Sequence, residues 1–339
     1  MAEFNRNNLN AVRLIAAFLV LYGHSFVFLG LREPLFLSWL PLGSLGVFIF
    51  FTISGYLISQ SWQRDPHVIR FLQRRALRIF PGLAVCILLL VFVLGPALTT
   101  WSIRDYFQSA YTWGYFRNIA LYISYYLPGV FEAARVPNAV NGSLWSLPVE
   151  FLMYLVVLIV GVIAGSRWVI AFFAIISAFI SIGWAQVGEQ VVIYGFDLRQ
   201  VFICGTYFWI GAVIYLFDLK RYFSMSVVMM ALVTLICFEP WIGILQVVAW
   251  GALPVAVLAF GLSYNRMLGW LTRTGDYSYG IYIYAFPIQQ TVIYLLPEIK
   301  IGSYLMLCSS IVLSCAILSW HLVEKRAMKL KPKKMGLTR

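Results

Sequence analysis

Long apolar runs recur along almost the whole chain and constrain its fold more than any other feature. Runs of about 18–22 apolar residues can cross a bilayer as helices, and a lipid-buried backbone must satisfy its own hydrogen bonds. Charged residues make up 11% of the 339 residues, whereas a soluble domain carries about 25%. The sequence therefore predicts an all-α, polytopic transmembrane helical bundle.

The apolar runs predict about ten spans. Their approximate ranges are 9–30, 44–61, 79–98, 144–164, 168–187, 199–217, 222–239, 242–262, 278–296 and 302–322. No soluble block interrupts them, so we expect a single integral membrane domain over 1–339. Most of the 25 Lys and Arg residues fall in segments that are cytoplasmic if both termini are cytoplasmic. This positive-inside pattern fixes the orientation and accounts for the net charge of +12 without a nucleic-acid partner.

Three ionisable side chains, those of Arg13, His24 and Glu150, lie within predicted spans. Charge in the bilayer interior is costly, so each is a candidate functional residue. Arg13 and His24 are 11 residues apart, so they share one face of one helix, separated by about 16 Å. Two structural alternatives stay open: His24 forms an interhelical hydrogen bond, or Arg13 and Glu150 neutralise each other as an ion pair.

A polar stripe surrounds Glu150, because Ser143, Ser146, Glu150 and Tyr154 recur at three- and four-residue steps. A His and a carboxylate in a low-dielectric site are the usual parts of a general base and its orienting group. Such a base takes the proton of a hydroxyl as that hydroxyl attacks an acyl carbon. Ser54 is the nearest candidate nucleophile, but a Ser in a membrane helix usually bonds its own i−4 carbonyl. Direct transfer without an acyl-enzyme is therefore favoured.

Several arginines precede the third span, and Arg70, Arg74 and Arg78 recur at every fourth residue, with Arg75 beside them. They line one face if the segment is helical. They anchor the topology and contact lipid phosphates, or they bind the phosphates of a ligand.

The outer segment 98–143 is rich in aromatic residues and poor in charge. Its rings form an interfacial belt or stack against sugars, and part of 107–127 could dip into the membrane. The five cysteines lie in apolar segments without metal-ligand spacing, so we expect buried apolar side chains and no metal site.

The motifs together resemble the acyltransferase-3 family of integral membrane acyltransferases, which includes O-antigen, capsule and exopolysaccharide O-acetylases. The matching segments, in the order of the family, are NAVRLIAAFLVLYGH (10–24), GVFIFFTISGYLIS (46–59), RRALRIFP (74–81), SLWSLPVEFLMY (143–154), TGDYSYGIYIYAFP (274–287) and WHLVEKRAMKLK (320–331). They cover nearly the whole chain.

The resemblance implies ten helices, a donor such as acetyl-CoA bound from the cytoplasm, and a sugar hydroxyl as acceptor. It makes His24 the catalytic base and Glu150 a catalytic carboxylate. The donor- or substrate-binding residues are then Arg13, Arg74, Arg75, Arg78, Ser54, Trp145 and Tyr154. No permanently bound cofactor is expected. The implied partners are acyl-CoA, a glycan or lipid-linked oligosaccharide, and the bilayer of a bacterial inner membrane.

One position departs from the family pattern. Many relatives carry a second His just before an aromatic-Pro pair, where this chain has Ala285 before Phe286 and Pro287. Any role of that His is absent or reassigned here. Two other functions stay open: a transporter with a charge relay, and a membrane partner that presents acyl groups to another enzyme. The absence of visible internal symmetry disfavours the transporter.

Overall fold

The computed structural model describes residues 7–187, 190–265, 267–268 and 275–332, which are almost entirely helical. The helices are α1 (Leu9–Leu29), α2 (Leu42–Arg64), α3 (Val68–Leu98), α4 (Ile103–Gln108), α5 (Ala110–Gly114), α6 (Ser146–Ile163), α7 (Arg167–Val187), α8 (Arg199–Leu216), α9 (Met225–Phe238), α10 (Ile242–Leu262), α11 (Ser278–Leu295) and α12 (Ile301–Lys329). The prediction of an all-α polytopic bundle is confirmed.

Eight of the described helices are long and apolar enough to cross a membrane. Two further predicted spans correspond to α9 and α11. Helix α9 has 14 residues, and α11 carries the amides of Gln289 and Gln290 inside its 18 residues. Both are helical where the sequence predicts spans, but neither has both the length and the apolar character of the other eight.

Two short antiparallel hairpins interrupt the helical pattern at the predicted outer ends of the bundle. Strand β1 (Leu35–Phe36) pairs with β2 (Leu40–Pro41), and β3 (Val192–Ile193) pairs with β4 (Phe196–Asp197). The first connects α1 to α2, and the second precedes α8.

Helix α2 lies at the centre of the bundle, with 78% of its apolar window buried, whereas the window of α7 is only 17% buried. Glycines set the spacing around α2. A Cβ added at Gly46 would lie 2.5 Å from the carbonyl oxygen of Ala16 in α1, and one added at Gly55 would lie 1.8 Å from that of Phe208 in α8. Only a residue without a side chain permits such close approach, as small residues do at membrane helix interfaces.

Two spans are longer than the sequence predicts. Helix α3 begins at Val68, after the side chain of His67 caps it by accepting from the backbone N–H of Arg70. A π-helical turn at Leu90–Leu94 precedes Pro96, whose missing N–H interrupts the regular hydrogen-bond ladder. Helix α12 contains a second π turn, Trp320–Glu324, and continues to Lys329. The predicted boundaries at 79 and 322 were too short because polar residues extend both helices beyond their apolar parts.

The segment between α3 and α6 folds against the outer half of α3. It forms α4, α5 and a 3₁₀ turn at Tyr115–Ala120. Tyr106 and Tyr115 are fully buried, and the hydroxyl of Tyr106 donates to the carbonyl of Val91 at 2.9 Å. The aromatic side chains of this segment thus include packed core residues. Its depth in the bilayer stays a prediction.

Candidate active site

Helix α1 places Arg13 and His24 at its two ends, in the order that the sequence predicts. We keep the predicted orientation, so the Arg13 end is cytoplasmic and the His24 end lies towards the outside. The helix is continuous from Leu9 to Leu29, so the two side chains lie about 16 Å apart along its axis. Their surroundings differ completely.

Arg13 forms an ion pair with Asp276, which lies just before α11. The Nη1 atom of Arg13 is 2.8 Å from Oδ2 of Asp276, and Nη2 of Arg78 in α3 is 2.7 Å from the same oxygen. The other carboxylate oxygen accepts from the hydroxyl of Ser278 at 2.5 Å. One aspartate therefore connects α1, α3 and the start of α11. The expected alternative of an ion pair between Arg13 and Glu150 is wrong, because Asp276 is the partner of Arg13.

The charge state of Asp276 follows from these neighbours. Burial alone would raise its pKa, but the positive charges of Arg13 and Arg78 and the bonds from Ser278 hold that pKa below its ordinary value. Asp276 is therefore an anion at neutral pH and supplies the counter-charge for two arginines.

A second carboxylate, that of Glu324 in the π turn of α12, also faces Arg78. Its side chain is 2% exposed, accepts from the hydroxyl of Ser319 at 2.9 Å and lies 3.9 Å from Nη1 of Arg78. Together, Arg13, Arg78, Asp276 and Glu324 form what we term the inner charge cluster.

Arg74 and Arg70 are held by Asp65, in the turn between α2 and α3. Arg70 donates to both carboxylate oxygens of Asp65 at 2.6 and 2.9 Å, and Arg74 also donates to this side chain. Hydrogen bonds from Arg70 and Arg74 outweigh the effect of burial and hold the pKa of Asp65 below its usual range. Arg74 donates in addition to the carbonyl of Pro332, at 3.2 Å from Nη2. The expected helical face of Arg70, Arg74 and Arg78 is confirmed, but carboxylates already occupy it.

Arg75 differs from its neighbours on α3. Its Nε is buried and has no hydrogen-bond partner among the described residues, and its guanidinium carbon lies 6.0 Å from the ring centre of Phe71. A buried donor without a partner is costly, so Arg75 is the arginine of this segment most in need of an additional acceptor. Its donor-binding role, like those of Arg74 and Arg78, stays a prediction.

Glu150 in α6 forms a compact polar group with Ser54 and Tyr154. The hydroxyls of Ser54 in α2 and Tyr154 in α6 both donate to Oε1 of Glu150, each at 2.5 Å. The expected bond from Ser54 to its own helix is therefore wrong. Helix α2 brings the Ser54 hydroxyl to the Glu150 carboxylate. Three predicted site residues, Ser54, Glu150 and Tyr154, are therefore in direct contact.

A small cavity of about 40 Å³ lies between Glu150 and Arg13. Its lining includes Arg13, Phe50, Glu150 and Tyr282. The Arg13 guanidinium carbon lies 5.9 Å from the ring centre of Phe50. A cavity of this size holds water-sized molecules and is too small for a ligand as large as acyl-CoA.

His24 lies among aromatic rings towards the outer side. Its ring centre is 5.6 Å from that of Phe286 and 6.4 Å from that of Phe28, both edge-on. Its Nδ1 is buried without a hydrogen-bond partner among the described residues. The expected alternative of an interhelical hydrogen bond is thus not seen at this nitrogen. No described hydrogen bond links His24 to Glu150, so the geometry does not join them as base and orienting group.

Ala285, which stands where many relatives have a second His, is an apolar core residue. Ala285 is fully buried in an apolar cluster with Ala17 and Leu21 of α1. Its neighbour Phe286 supplies the ring that contacts His24. At this position α11 therefore contributes shape, and no titratable group.

Trp145 ends a 3₁₀ turn, Gly142–Trp145, and packs against the core without lining the cavity of Glu150. A residue absent from our prediction lies nearby: the hydroxyl of Tyr282 donates to the carbonyl of Ser143 at 2.9 Å and lies 2.5 Å from the hydroxyl of Ser146. Its signal was the tyrosine-rich motif that begins α11.

Asp276 and Glu324 were also missed as site residues. Both lie in segments that match the family, 274–287 and 320–331, but outside the predicted spans, where carboxylates are common. Within the described residues, no group of three or more His, Cys, Asp and Glu side chains is arranged to hold a metal ion.

Comparison with known protein families decides the identity of this arrangement. An acyltransferase domain, the acyltransferase-3 family, matches residues 6–320. The chain belongs to this family. It is thus a multi-pass membrane acyltransferase, which confirms the predicted enzyme class.

Two relatives match over nearly their full lengths. An O-acetyl transferase of Shigella phage Sf6 is 31% identical over 98% of each chain. Nodulation protein 10 of Rhizobium leguminosarum bv. viciae is 29% identical over 96% of this chain and 94% of its own. A peptidoglycan O-acetyltransferase of Listeria monocytogenes is 29% identical over 35% of this acyltransferase and 20% of its own length. No solved structure matches the chain.

Proposed function

We propose that this acyltransferase moves an acetyl group from cytoplasmic acetyl-CoA to a hydroxyl of a cell-surface polysaccharide or its lipid-linked precursor. The proposal places the enzyme in a bacterial inner membrane. It rests chiefly on the similarity to an O-acetyl transferase over 98% of both chains. The name of the Listeria relative, a peptidoglycan O-acetyltransferase, supports a glycan acceptor.

The two ends of α1 suit the two substrates. Arg13 and the arginines of α3 lie at the cytoplasmic end, where the phosphates of coenzyme A arrive. Guanidinium groups bind phosphate with charge-assisted hydrogen bonds, and Arg75 has a buried N–H without a partner among the described residues. A reacting thioester near His24 must lie about 16 Å from the level of Arg13, which favours a donor with a long, flexible arm.

In the proposed step, His24 removes the proton of the acceptor hydroxyl. The hydroxyl oxygen bonds to the acyl carbon, the carbon–sulfur bond breaks, and the departing thiolate takes up a proton to form the free thiol. A neutral imidazole with an unshared nitrogen is the group that this step needs. The absence of a described partner on Nδ1 of His24 leaves it available to a substrate.

Glu150 has a separate role in this scheme. It orients Ser54 and Tyr154, whose hydroxyls both donate to it, beside the cavity that Arg13 also lines. We assign this group to the passage of the acyl arm between the two ends of α1.

The experiment uses purified full-length protein in nanodiscs, acetyl-CoA labelled in its acetyl group, and candidate glycans. Covalent label on the glycan supports the proposal, and free coenzyme A must appear in equal amount. Label that accumulates inside sealed vesicles without transfer supports transport instead. Label that stays on this protein until another protein is added supports an acyl-presenting partner. NMR of surface polysaccharide from a deletion strain and its parent identifies the acetylated hydroxyl.

A further inference from the structure

A second, larger cavity opens at the cytoplasmic side of the bundle. Its volume is about 630 Å³, within the range of about 300–1,000 Å³ that small-molecule sites occupy. It lies between the start of α1, the second half of α2, the turn before α9, and the end of α10. Its lining includes Tyr56, Leu57, Arg64, Lys220, Arg221 and Met225. We refer to it as the cytoplasmic groove.

The groove is separate from the cavity beside Glu150. Among the described residues, none lines both cavities. Ser54 donates to Glu150, whereas Tyr56 lines the groove. These residues are two positions apart in α2, so their side chains point in directions about 200° apart around the helix axis. Helix α2 therefore separates the two spaces.

The groove has a strongly positive lining. Arg64, Lys220 and Arg221 contribute three cations, and none of the described residues that line the groove is Asp or Glu. Asp218 lies 3.7 Å from Nζ of Lys220, and both of these side chains are about half exposed, so this pairing is weak. Arg221 also lies over the ring of Tyr222, 4.8 Å from its centre. This lining suits an anion.

An exposed apolar stripe leads away from the groove along α9. The stripe begins at Met225, which lines the groove. Its side chains are all more than half exposed: Met225 56%, Met229 56%, Val233 52% and Ile236 57%. Their spacing of three and four residues keeps them on one face of the helix. A ligand with an anionic head and apolar tails matches this combination of cationic groove and apolar stripe.

We propose that the cytoplasmic groove binds an anionic phospholipid of the inner leaflet. The phosphate lies beside Lys220 and Arg221, and the acyl chains follow the stripe on α9. Basic pockets between spans on the cytoplasmic side bind anionic headgroups in this way. This site is independent of the acyl transfer proposed above.

The test measures lipid binding to the full-length protein by native mass spectrometry, with phosphatidylglycerol and phosphatidylcholine of identical chains as probes. The wild type is expected to retain phosphatidylglycerol in preference. The double substitution Lys220→Gln and Arg221→Gln is expected to weaken that binding about thirtyfold, since each cation near an anionic surface contributes about a factor of five. The matched control is Lys325→Gln with Arg326→Gln, which removes two exposed cytoplasmic cations elsewhere and should change binding less than about twofold.

A second variant, Met229→Gln, tests the chains separately from the headgroup. It should weaken phosphatidylglycerol binding a few-fold. Equal retention of phosphatidylcholine, or equal weakening by the control, overturns the proposal. Displacement of the lipid by an equal concentration of inorganic phosphate makes the groove a free-phosphate site. Displacement by coenzyme A assigns it to the donor. Each of these last two results also overturns the proposal.

Discussion

The polar side chains at the two ends of α1 have opposite kinds of surroundings. At the inner end, Arg13 shares Asp276 with Arg78, and a further carboxylate, that of Glu324, lies near the second arginine. At the outer end, His24 is surrounded by Phe28 and Phe286, and its Nδ1 has no partner within the described structure. At the inner end, arginines pair with carboxylates, while at the outer end the imidazole of His24 lies among apolar rings without a counter-charge among its described contacts.

This difference separates structural from chemical candidates. Breaking a buried ion pair leaves an uncompensated charge and destabilises the fold. The primary role of Arg13 and Asp276 is therefore structural: their ion pair helps to hold α1, α3 and α11 together. A buried nitrogen without a partner gives the fold no such benefit. His24 is therefore the stronger candidate for chemistry, and the following experiments test that contrast.

The largest effect is expected from His24→Ala. Loss of a general base lowers the transfer rate by about 10²–10⁴-fold, while the protein should still insert and fold, with a melting temperature lowered only by the lost ring contacts with Phe28 and Phe286. The measurement is label transfer to glycan, with a thermal melt in detergent. Tyr22→Phe, on the same helix and 36% exposed, is the control and should retain activity. Wild-type activity in the His24 variant would remove the proposed mechanism.

Asp276→Asn should have the opposite profile. It leaves Arg13 and Arg78 without their shared counter-charge, so the free energy of unfolding should fall by about 3–5 kcal/mol. Urea unfolding in mixed micelles measures this loss. The control is Asp218→Asn, whose side chain is 60% exposed and should contribute less than about 1 kcal/mol. Unchanged stability of the Asp276 variant would show that the inner charge cluster is not structural.

Ser54→Ala and Tyr154→Phe should each have an intermediate effect. Each removes one hydrogen bond to the Glu150 carboxylate, worth about 1.5–3 kcal/mol, so the transfer rate should fall by roughly tenfold or more if this group guides the acyl arm. Initial rates at several acetyl-CoA concentrations separate kcat from KM. Thr52→Val is the control, because the Thr52 hydroxyl has no described partner. If the transfer rates of all three variants are equal, the hydrogen bonds from Ser54 and Tyr154 to Glu150 do not contribute to transfer.

The smallest effect is a pH dependence of the segment after α12. Burial lowers the pKa of Lys331 to about 8, and the nearby charges of Arg75, Arg78 and Arg13 act in the same direction. The pKa of Lys331 in the folded chain lies below its value in the unfolded chain. The free-energy cost of burying the charged amine is therefore at its maximum below pH 8. That cost disappears as the pH rises from about 8 towards the unfolded value of about 10.4.

Amide exchange of Leu330 and Lys331, whose backbone N–H groups donate to the carbonyls of Ala327 and Met328, tests this expectation. After correction for the intrinsic effect of pH, protection should increase between pH 7 and pH 9.5 in the wild type. It should stay constant in Lys331→Gln. Decreasing protection in the wild type would contradict the assigned direction.

The sequence predicted most of the fold because apolar length is a local property. Helices α1 and α2 begin and end within a few residues of the predicted spans 9–30 and 44–61. The ends of α3 and α12 were misjudged, since arginines and a buried glutamate continue the helices past their apolar parts.

The candidate site was predicted less completely, because its contacts join distant parts of the chain. The spacing of Arg13 and His24 on one helix was visible in the sequence. The pairing of Arg13 with Asp276 joins residues 263 positions apart, and no local pattern reports it. Ser54 was expected to bond locally, but its approach to Glu150 depends on how α2 packs against α6.

The glycines at positions 46 and 55 have a consequence for how acceptors of different size are accommodated. They bring α2 into backbone contact with α1 and α8, so a shift of α2 along either neighbour would make backbone atoms collide. Room for a bulkier acceptor must then come from α6 and α11, the other helices that line the small cavity. We expect changes in acceptor preference among relatives to arise from substitutions on those two helices.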